Sequence, residues 1–185
     1  MSTIAVNAIT DASGGNTASI NGATPTTDNT MGRNRIINGD MRIDQRNAGA
    51  SVTNIAAAVY TVDRWNINCS QASKLTLQQN AGSVTPPTGY TNYLGATVIS
   101  SYSVGSGDYN QLIQTIEGFN VADLGWGTAN AKTVTLSFWV RSSLTGTFGG
   151  SLRNAALSRS YPFVYTISSS DTWEQKTITI TGDTA

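Results

Sequence analysis

The clearest hydrophobic pattern in the chain is a strict alternation over residues 133–141, where Val134, Leu136, Phe138 and Val140 interleave with Thr133, Thr135, Ser137, Trp139 and Arg141. Period two marks a half-buried strand, with one face in a core and the other, carrying a single indole, outside. Residues 174–181 repeat the device, as Ile178 and Ile180 alternate with Thr177, Thr179 and Thr181. Weaker strand patterns cover 62–68, 75–79, 97–104, 111–117 and 163–167, each set off by Gly, Pro or Asn. That spacing predicts an all-β unit. Asn38-Gly39, flanked by Ile36/Ile37 and Met41/Ile43, is the strongest short hairpin signal. Helix is expected only as single turns, at 55–59 and 120–125.

The pattern changes along the chain. Residues 1–32 hold short apolar pieces such as Ile4/Val6 and Ala18/Ile20 between turn dipeptides, with Asp11 and Asp28 their only charges. So little apolar surface cannot offset an ordering entropy of roughly 1–2 kcal/mol per residue. This segment is therefore expected to order only against partners, through Ile4, Val6, Ile9 and Ile20. Arg33, Arg35, Arg42 and Arg46 then cluster with Asp40 and Asp44. The folded unit is expected over 33–185, with Arg33 and Arg35 at its junction with the leader; the four arginines are read as ion pairs between subunits, with a grip on an anionic sugar as the alternative. At the other end, Gly182 and Asp183 follow a strand and have the chemistry of a turn into a next element. The expectation is an open sheet edge, covered either by another chain or by further residues.

Composition narrows the functions available. Lys plus Arg equals Asp plus Glu at 11 each, and only 12% of residues are charged, so a basic surface for nucleic acid is not expected. Polarity comes instead from Thr (26), Ser (20) and Asn (16), about a third of the 185 residues, which favour strands and turns. The absence of His excludes a Ser-His-Asp or Cys-His nucleophile and any His-based zinc site. The single Cys69 forms no intrachain disulfide, in keeping with a reducing folding compartment. The N-terminus lacks the charged and apolar regions of a signal peptide, and no apolar run approaches the roughly 18 residues of a membrane span, so no membrane insertion is expected.

Candidate chemistry rests on aromatics and carboxylates. Trp139, Trp126, Tyr102, Tyr109 and Tyr161 are candidates for stacking on sugar rings, since an aromatic combines apolar area with low conformational cost. Trp139 serves equally well as a subunit contact. Glu117, Glu174 and nine aspartates are the only reagents for a glycosidase pair, and nothing in the sequence pairs them. No catalytic residue, cofactor or metal is assigned.

The stretch NRIINGDMRIDQRN followed by YTVDRWNI resembles the opening of β-jelly-roll domains in bacteriophage tail fibres and related virion proteins. The residues that carry the likeness are Asn34, Asn38, Gly39, Gln45 and Arg46, then Tyr60, Asp63, Arg64 and Trp65. LIQTIEG at 112–118, VTLSFWVR at 134–141 and WEQKTITITGD at 173–183 look like successive strands of such a sandwich, similar in pattern to carbohydrate-binding jelly rolls. The likeness covers about 34–183, and the leader resembles the glycine-rich segments that join such fibres to the particle. It implies an antiparallel β-sandwich of jelly-roll type, incomplete at its C-terminal end, and a homotrimer attached to another tail or virion protein. It also implies a place in the virion tail and adhesion to host-surface glycan. A head fibre or baseplate adaptor, and a polysaccharide depolymerase, are the alternatives. Within the motif, Tyr60, Asp63, Arg64 and Trp65 admit two readings, a ligand-contacting cluster or, the favoured one, Asp63 and Arg64 pinning a strand start with Trp65 filling the core.

Overall fold

The computed structural model describes residues 34–185. The chain divides into two units, Met1–Arg35 and Ile36–Ala185, and the architecture below is that of the second. The leader positions Ile4, Val6, Ile9 and Ile20, and Arg33, lie outside the described residues. Arg35 is half-buried and has interaction partners.

The unit is all-β. Its strands are β1 (Val52–Thr53), β2 (Val59–Tyr60), β3 (Trp65–Cys69), β4 (Leu75–Gln79), β5 (Leu94–Val98), β6 (Asn110–Gln114), β7 (Val134–Val140), β8 (Gly146–Arg153), β9 (Ser160–Ile167) and β10 (Glu174–Ile180). Every strand pair is antiparallel, in four small sheets ordered β1-β4-β5, β2-β3-β6, β10-β7 and β8-β9. Helix is confined to three short 3-10 turns, two of them at Gly118–Asn120 and Ala122–Leu124, where the sequence predicts a helical turn.

The two three-stranded sheets share one apolar core. Ile67 and Cys69 of β3 meet Leu77 of β4, with Val59, Leu75 and Leu94 packed around them. Cys69 is a free, buried thiol, and desolvation pushes its pKa up. In the second pair of sheets the inward residues of β7, Val134 to Val140 at even positions, are half-buried while the odd ones are exposed, as the alternation predicts. Tyr165 of β9 meets the Phe138 ring edge-on at 5.0 Å and stacks on Phe148 at 5.9 Å, which joins the β8-β9 ribbon to the β7-β10 ribbon. Trp173, just before β10, bridges back to the first half: its ring meets Tyr93 at 5.6 Å and its Nε1 donates to the Thr85 carbonyl at 2.9 Å.

Several local expectations are corrected. Asn38-Gly39 is not a hairpin: Asn38 and Met41 both have left-handed φ (54° and 56°), and the segment coils as a turn without strand partners. Its backbone is satisfied from a distance by Gln114, whose Oε1 accepts from the Ile37 N–H (2.8 Å) and whose Nε2 donates to the Ile37 carbonyl (2.7 Å). A side-chain amide thus takes the place of a neighbouring strand. Residues 55–59 are extended rather than helical, closing an Ile55–Ala57 bridge and entering β2. The strand predicted at 97–104 sits earlier, because Asn80 clamps Tyr93 by two hydrogen bonds (3.1 and 2.9 Å) and so starts the pairing at Leu94 opposite Gln79. β8 escapes the pattern because its inward position 150 is Gly, where a Cβ would lie 2.4 Å from the Phe163 ring on β9.

The Gly182-Asp183 pair is anchored on the unit. Gly182 is buried against the 131–132 backbone, the Gly127 N–H donates to the Asp183 carbonyl at 2.7 Å, and the Asp183 carboxylate pairs with Arg159.

Candidate functional site

The motif residues of the first half converge on one place. The β2-to-β3 turn puts Arg64 in the left-handed region (φ 74°), a conformation a non-glycine residue holds only when its surroundings fix it. Here they do: the Arg64 guanidinium pairs with Glu117 at 2.5 Å and also donates to the Thr115 carbonyl. Asp63 accepts the Gln45 N–H at 2.5 Å, and its own N–H donates to the Ile43 carbonyl at 3.1 Å. Asn38 donates to the carbonyls of Ile43 (2.9 Å) and Asp63 (2.8 Å) and accepts the Ile43 N–H (2.9 Å), while Trp65 Nε1 donates to the Asn38 carbonyl (3.0 Å). Trp65 is half-buried rather than fully enclosed, on the face of β3 that carries Ile67 and Cys69. Blocks separated by some twenty residues in sequence are thus one bonded assembly.

This assembly borders an open groove of about 370 Å³ lined by Arg46, Tyr60, Asp63, Arg64, Asn66 and Glu117, a size within the range of small-ligand sites. Tyr60 pairs with Asn66 across β2 and β3, and the residue stays 48% exposed. The Arg46 guanidinium lies over that ring, 4.9 Å from its centroid. Two cations face two carboxylates here, so the groove offers donors and acceptors without net charge. Hydrogen bonding to Arg64 holds the Glu117 carboxyl below its usual range, with Asn120 adding a further bond. That is the opposite of the raised pKa a general acid needs. Glu174 is engaged likewise by Lys176 (2.6 Å) and by the N–H groups of Ser168 and Ser169 (both 2.8 Å), and its pKa is also lowered.

The arginine cluster disperses. Arg42 approaches Asp40 at 3.7 Å in an exposed pair, whereas Asp44 accepts from the N–H groups of Asn47 (3.2 Å) and Gly49 (2.7 Å) and so closes its own loop. Arg46 goes to Tyr60.

The five predicted stacking aromatics are not gathered in one site. Trp139 projects from the outer face of β7, 37% exposed. Tyr161 lies on β9 opposite Leu152 of β8, on the side of that ribbon that carries Tyr165 towards Phe138. Trp126 is half-buried and spends its Nε1 proton on the Lys132 carbonyl at 2.8 Å. Tyr109 is exposed beside β6, and Tyr102 lies in the β5–β6 connection under the Lys74 ammonium at 5.2 Å.

The sequence offers Tyr60 as one member of a ligand-contacting cluster with Asp63, Arg64 and Trp65, but nothing in it says that Arg46 will cover the ring. One residue of consequence escaped the sequence reading. Asn54 is fully buried, and its side chain accepts the N–H groups of Lys74 (2.8 Å) and Leu75 (2.7 Å) and donates to the Gln71 carbonyl (2.6 Å). Among the described residues no cluster of three or more His, Cys, Asp or Glu is placed to share a metal ion, and no helix is long and apolar enough to cross a membrane.

Family models, curated proteins and solved structures were each compared with the chain, and none matches.

Proposed function

We propose that this chain is a structural, adhesive virion protein of the phage tail-fibre kind, attached to the particle through its N-terminal segment and contacting host-surface saccharide through its β unit, a sandwich of jelly-roll type. The observation that carries the reading is the exposed Tyr60 ring, lined by Arg46 and set in a groove of balanced charge with amide, guanidinium and carboxylate groups around it. A neutral sugar presents both donors and acceptors on its rim and an apolar C–H face, and this groove offers partners for each. Individual contacts of this kind are weak, and a trimer multiplies them by avidity. The groove carboxylates act as hydrogen-bond partners and not as an acid–base pair, so the reading is of a binding protein and not of a depolymerase.

The test is a neutral-glycan array probed with the full chain, repeated with Tyr60→Ala. Binding that is lost in the variant while the melting temperature holds supports the reading; unchanged binding overturns the groove assignment.

A second reading, a head fibre or baseplate adaptor without sugar binding, is favoured by the outward apolar side chains of the second half. Trp139, Leu144 and Val164 are all exposed, and such residues suit contacts to another subunit. Density for residues 1–32 in cryo-electron microscopy of intact particles separates the two: in the tail for a fibre, on the capsid or baseplate for an adaptor.

A further inference from the structure

A second concavity lies across the first half of the unit, away from Tyr60. Lys74 enters β4 with its backbone N–H held by the buried Asn54 side chain (2.8 Å), and its carbonyl accepts the Ile99 N–H (2.9 Å). Position 74 is therefore fixed from both sides. The Lys74 Nζ donates to Ser100 Oγ at 3.0 Å and lies 5.2 Å from the Tyr102 ring centroid. Ser100 Oγ in turn donates towards the Ser73 carbonyl (3.3 Å). The Tyr102 hydroxyl accepts from Asn110 Nδ2 at 3.4 Å, which leaves its own proton to donate. Lys74, Ser100, Ser101, Tyr102 and Asn110, with Val98 as an apolar wall, line a shallow, open pocket of about 210 Å³.

The chemistry of this pocket differs from that of the Tyr60 groove in one decisive way. No Asp or Glu lines it, and among the described residues Lys74 forms no ion pair. Asp108, two residues before Asn110, turns its carboxylate to other donors, Ser70 Oγ (2.7 Å), Gln71 Nε2 (3.1 Å) and the Gly105 N–H (2.8 Å). Two ammonium protons, the Tyr102 hydroxyl and an amide hydrogen of Asn110 are left as donors around an unmatched positive charge. Next to them Val98 is 70% exposed and offers a bare apolar surface. A single group that needs both is a pyranose with a carboxylate on its ring: the carboxylate takes the charged donors and the C–H face lies on Val98. The volume is below the roughly 300–1,000 Å³ of drug-sized ligand sites, which suits one sugar residue and not an oligosaccharide.

We propose that this pocket is a subsite for the carboxylate-bearing residue of an acidic saccharide of the uronic-acid type. The proposal rests on the saccharide-adhesion reading above and adds to it the charge of the ligand. It uses residues that the Tyr60 groove does not share.

The experiment is an amide-resolved NMR titration of the full chain with methyl glucuronoside, methyl glucoside and inorganic phosphate. Saturable shifts at Ser100, Ser101 and Asn110 with the glucuronoside, about tenfold or more weaker with the glucoside, are expected. Lys74→Met, which keeps the apolar stem and removes the charge, is expected to abolish them, and Tyr102→Phe to weaken them several-fold in a chain whose remaining spectrum is unchanged. Equal response to the glucoside, an equal response to phosphate alone, or indifference to both substitutions overturns the proposal. The two sites are read apart with Tyr60→Ala. Glucuronoside binding retained in that variant, when neutral glycans fail to bind the native chain, overturns the Tyr60 groove alone; neutral-glycan binding without any glucuronoside response overturns this pocket alone.

Discussion

The side-chain amide of Asn38 donates to the carbonyl of Asp63 at 2.8 Å, so the 38–43 turn and the start of β3 are fastened together across 25 residues of sequence. The same side chain makes two further bonds to Ile43, and its backbone sits in the left-handed region that Asn tolerates better than most residues. Asn38 is thus chosen twice, by its dihedral and by its three hydrogen bonds.

Asn38→Ala is expected to destabilise the unit by about 2–4 kcal/mol, since it removes three hydrogen bonds at about 1 kcal/mol each and puts Ala at positive φ. Asn38→Gly loses the same bonds without the dihedral strain and is expected to cost less. Urea denaturation of both variants checks the order; an Ala variant no less stable than the Gly variant removes the dihedral argument.

Asn54→Ala is expected to cost about 3 kcal/mol or more, because it strands the buried N–H groups of Lys74 and Leu75, each with a desolvation penalty of about 1–3 kcal/mol. In a chain of this length that lowers the melting temperature by roughly 2–4 °C per kcal/mol. Differential scanning calorimetry reads it directly.

Gly182→Ala is expected to destabilise by about 1–3 kcal/mol. The added Cβ would sit 2.6 Å from the Lys132 carbonyl oxygen and 2.7 Å from the Ala131 carbonyl carbon, and backbone atoms cannot swing aside. A melting temperature equal to that of the native chain would show that the 131–132 turn gives way.

Acid should loosen the fold through Asp108, Glu117 and Glu174, whose folded-state pKa values are all lowered, first by bonds to Ser70, Arg64 and Lys176 respectively. A depressed folded pKa means that the unfolded chain binds protons first as pH falls. Their stabilisation is therefore complete above the ordinary carboxyl range, about 4, and is lost as pH drops through the lower folded values. Chemical denaturation from pH 7 to pH 3 is expected to show a plateau and then a decline, shallower in Glu117→Gln. A decline that begins near pH 6 would assign the effect to other groups.

The proposed trimer has a candidate contact in the exposed Trp139 on the outer face of β7. Light scattering of the full chain is expected to give three times the 19.5 kDa chain mass, and Trp139→Lys to lower that mass while leaving the melting temperature of the β unit in place. A monomeric mass for the native chain at micromolar concentration would overturn the trimer.

What could be read from the chain alone was whatever repeats locally. Period two over 134–140 and 174–180 named β7 and β10 and their inward faces, because a strand's two faces differ in solvent contact at every step. Composition restricted the chemistry for the same kind of reason: without His, or acids in pairs, certain reactions have no reagents in a given stretch. β8 was not legible, because Gly150 gives up its own side chain to make room for Phe163, and Asn54 reads as a loop residue until the strands around it turn its surroundings dry.

The sites were decided by tertiary structure. Arg46 and Glu117 stand far in sequence from the Tyr60–Arg64 block, and only the β2-β3-β6 pairing and the left-handed turn at Arg64 bring them to one groove. The sequence by itself determined the alternation, the all-β class and the scarcity of charge, which are properties of neighbours. Which aromatic faces water, and which lysine lacks a counter-ion among the described residues, depends on long-range pairing, whose register no local pattern encodes.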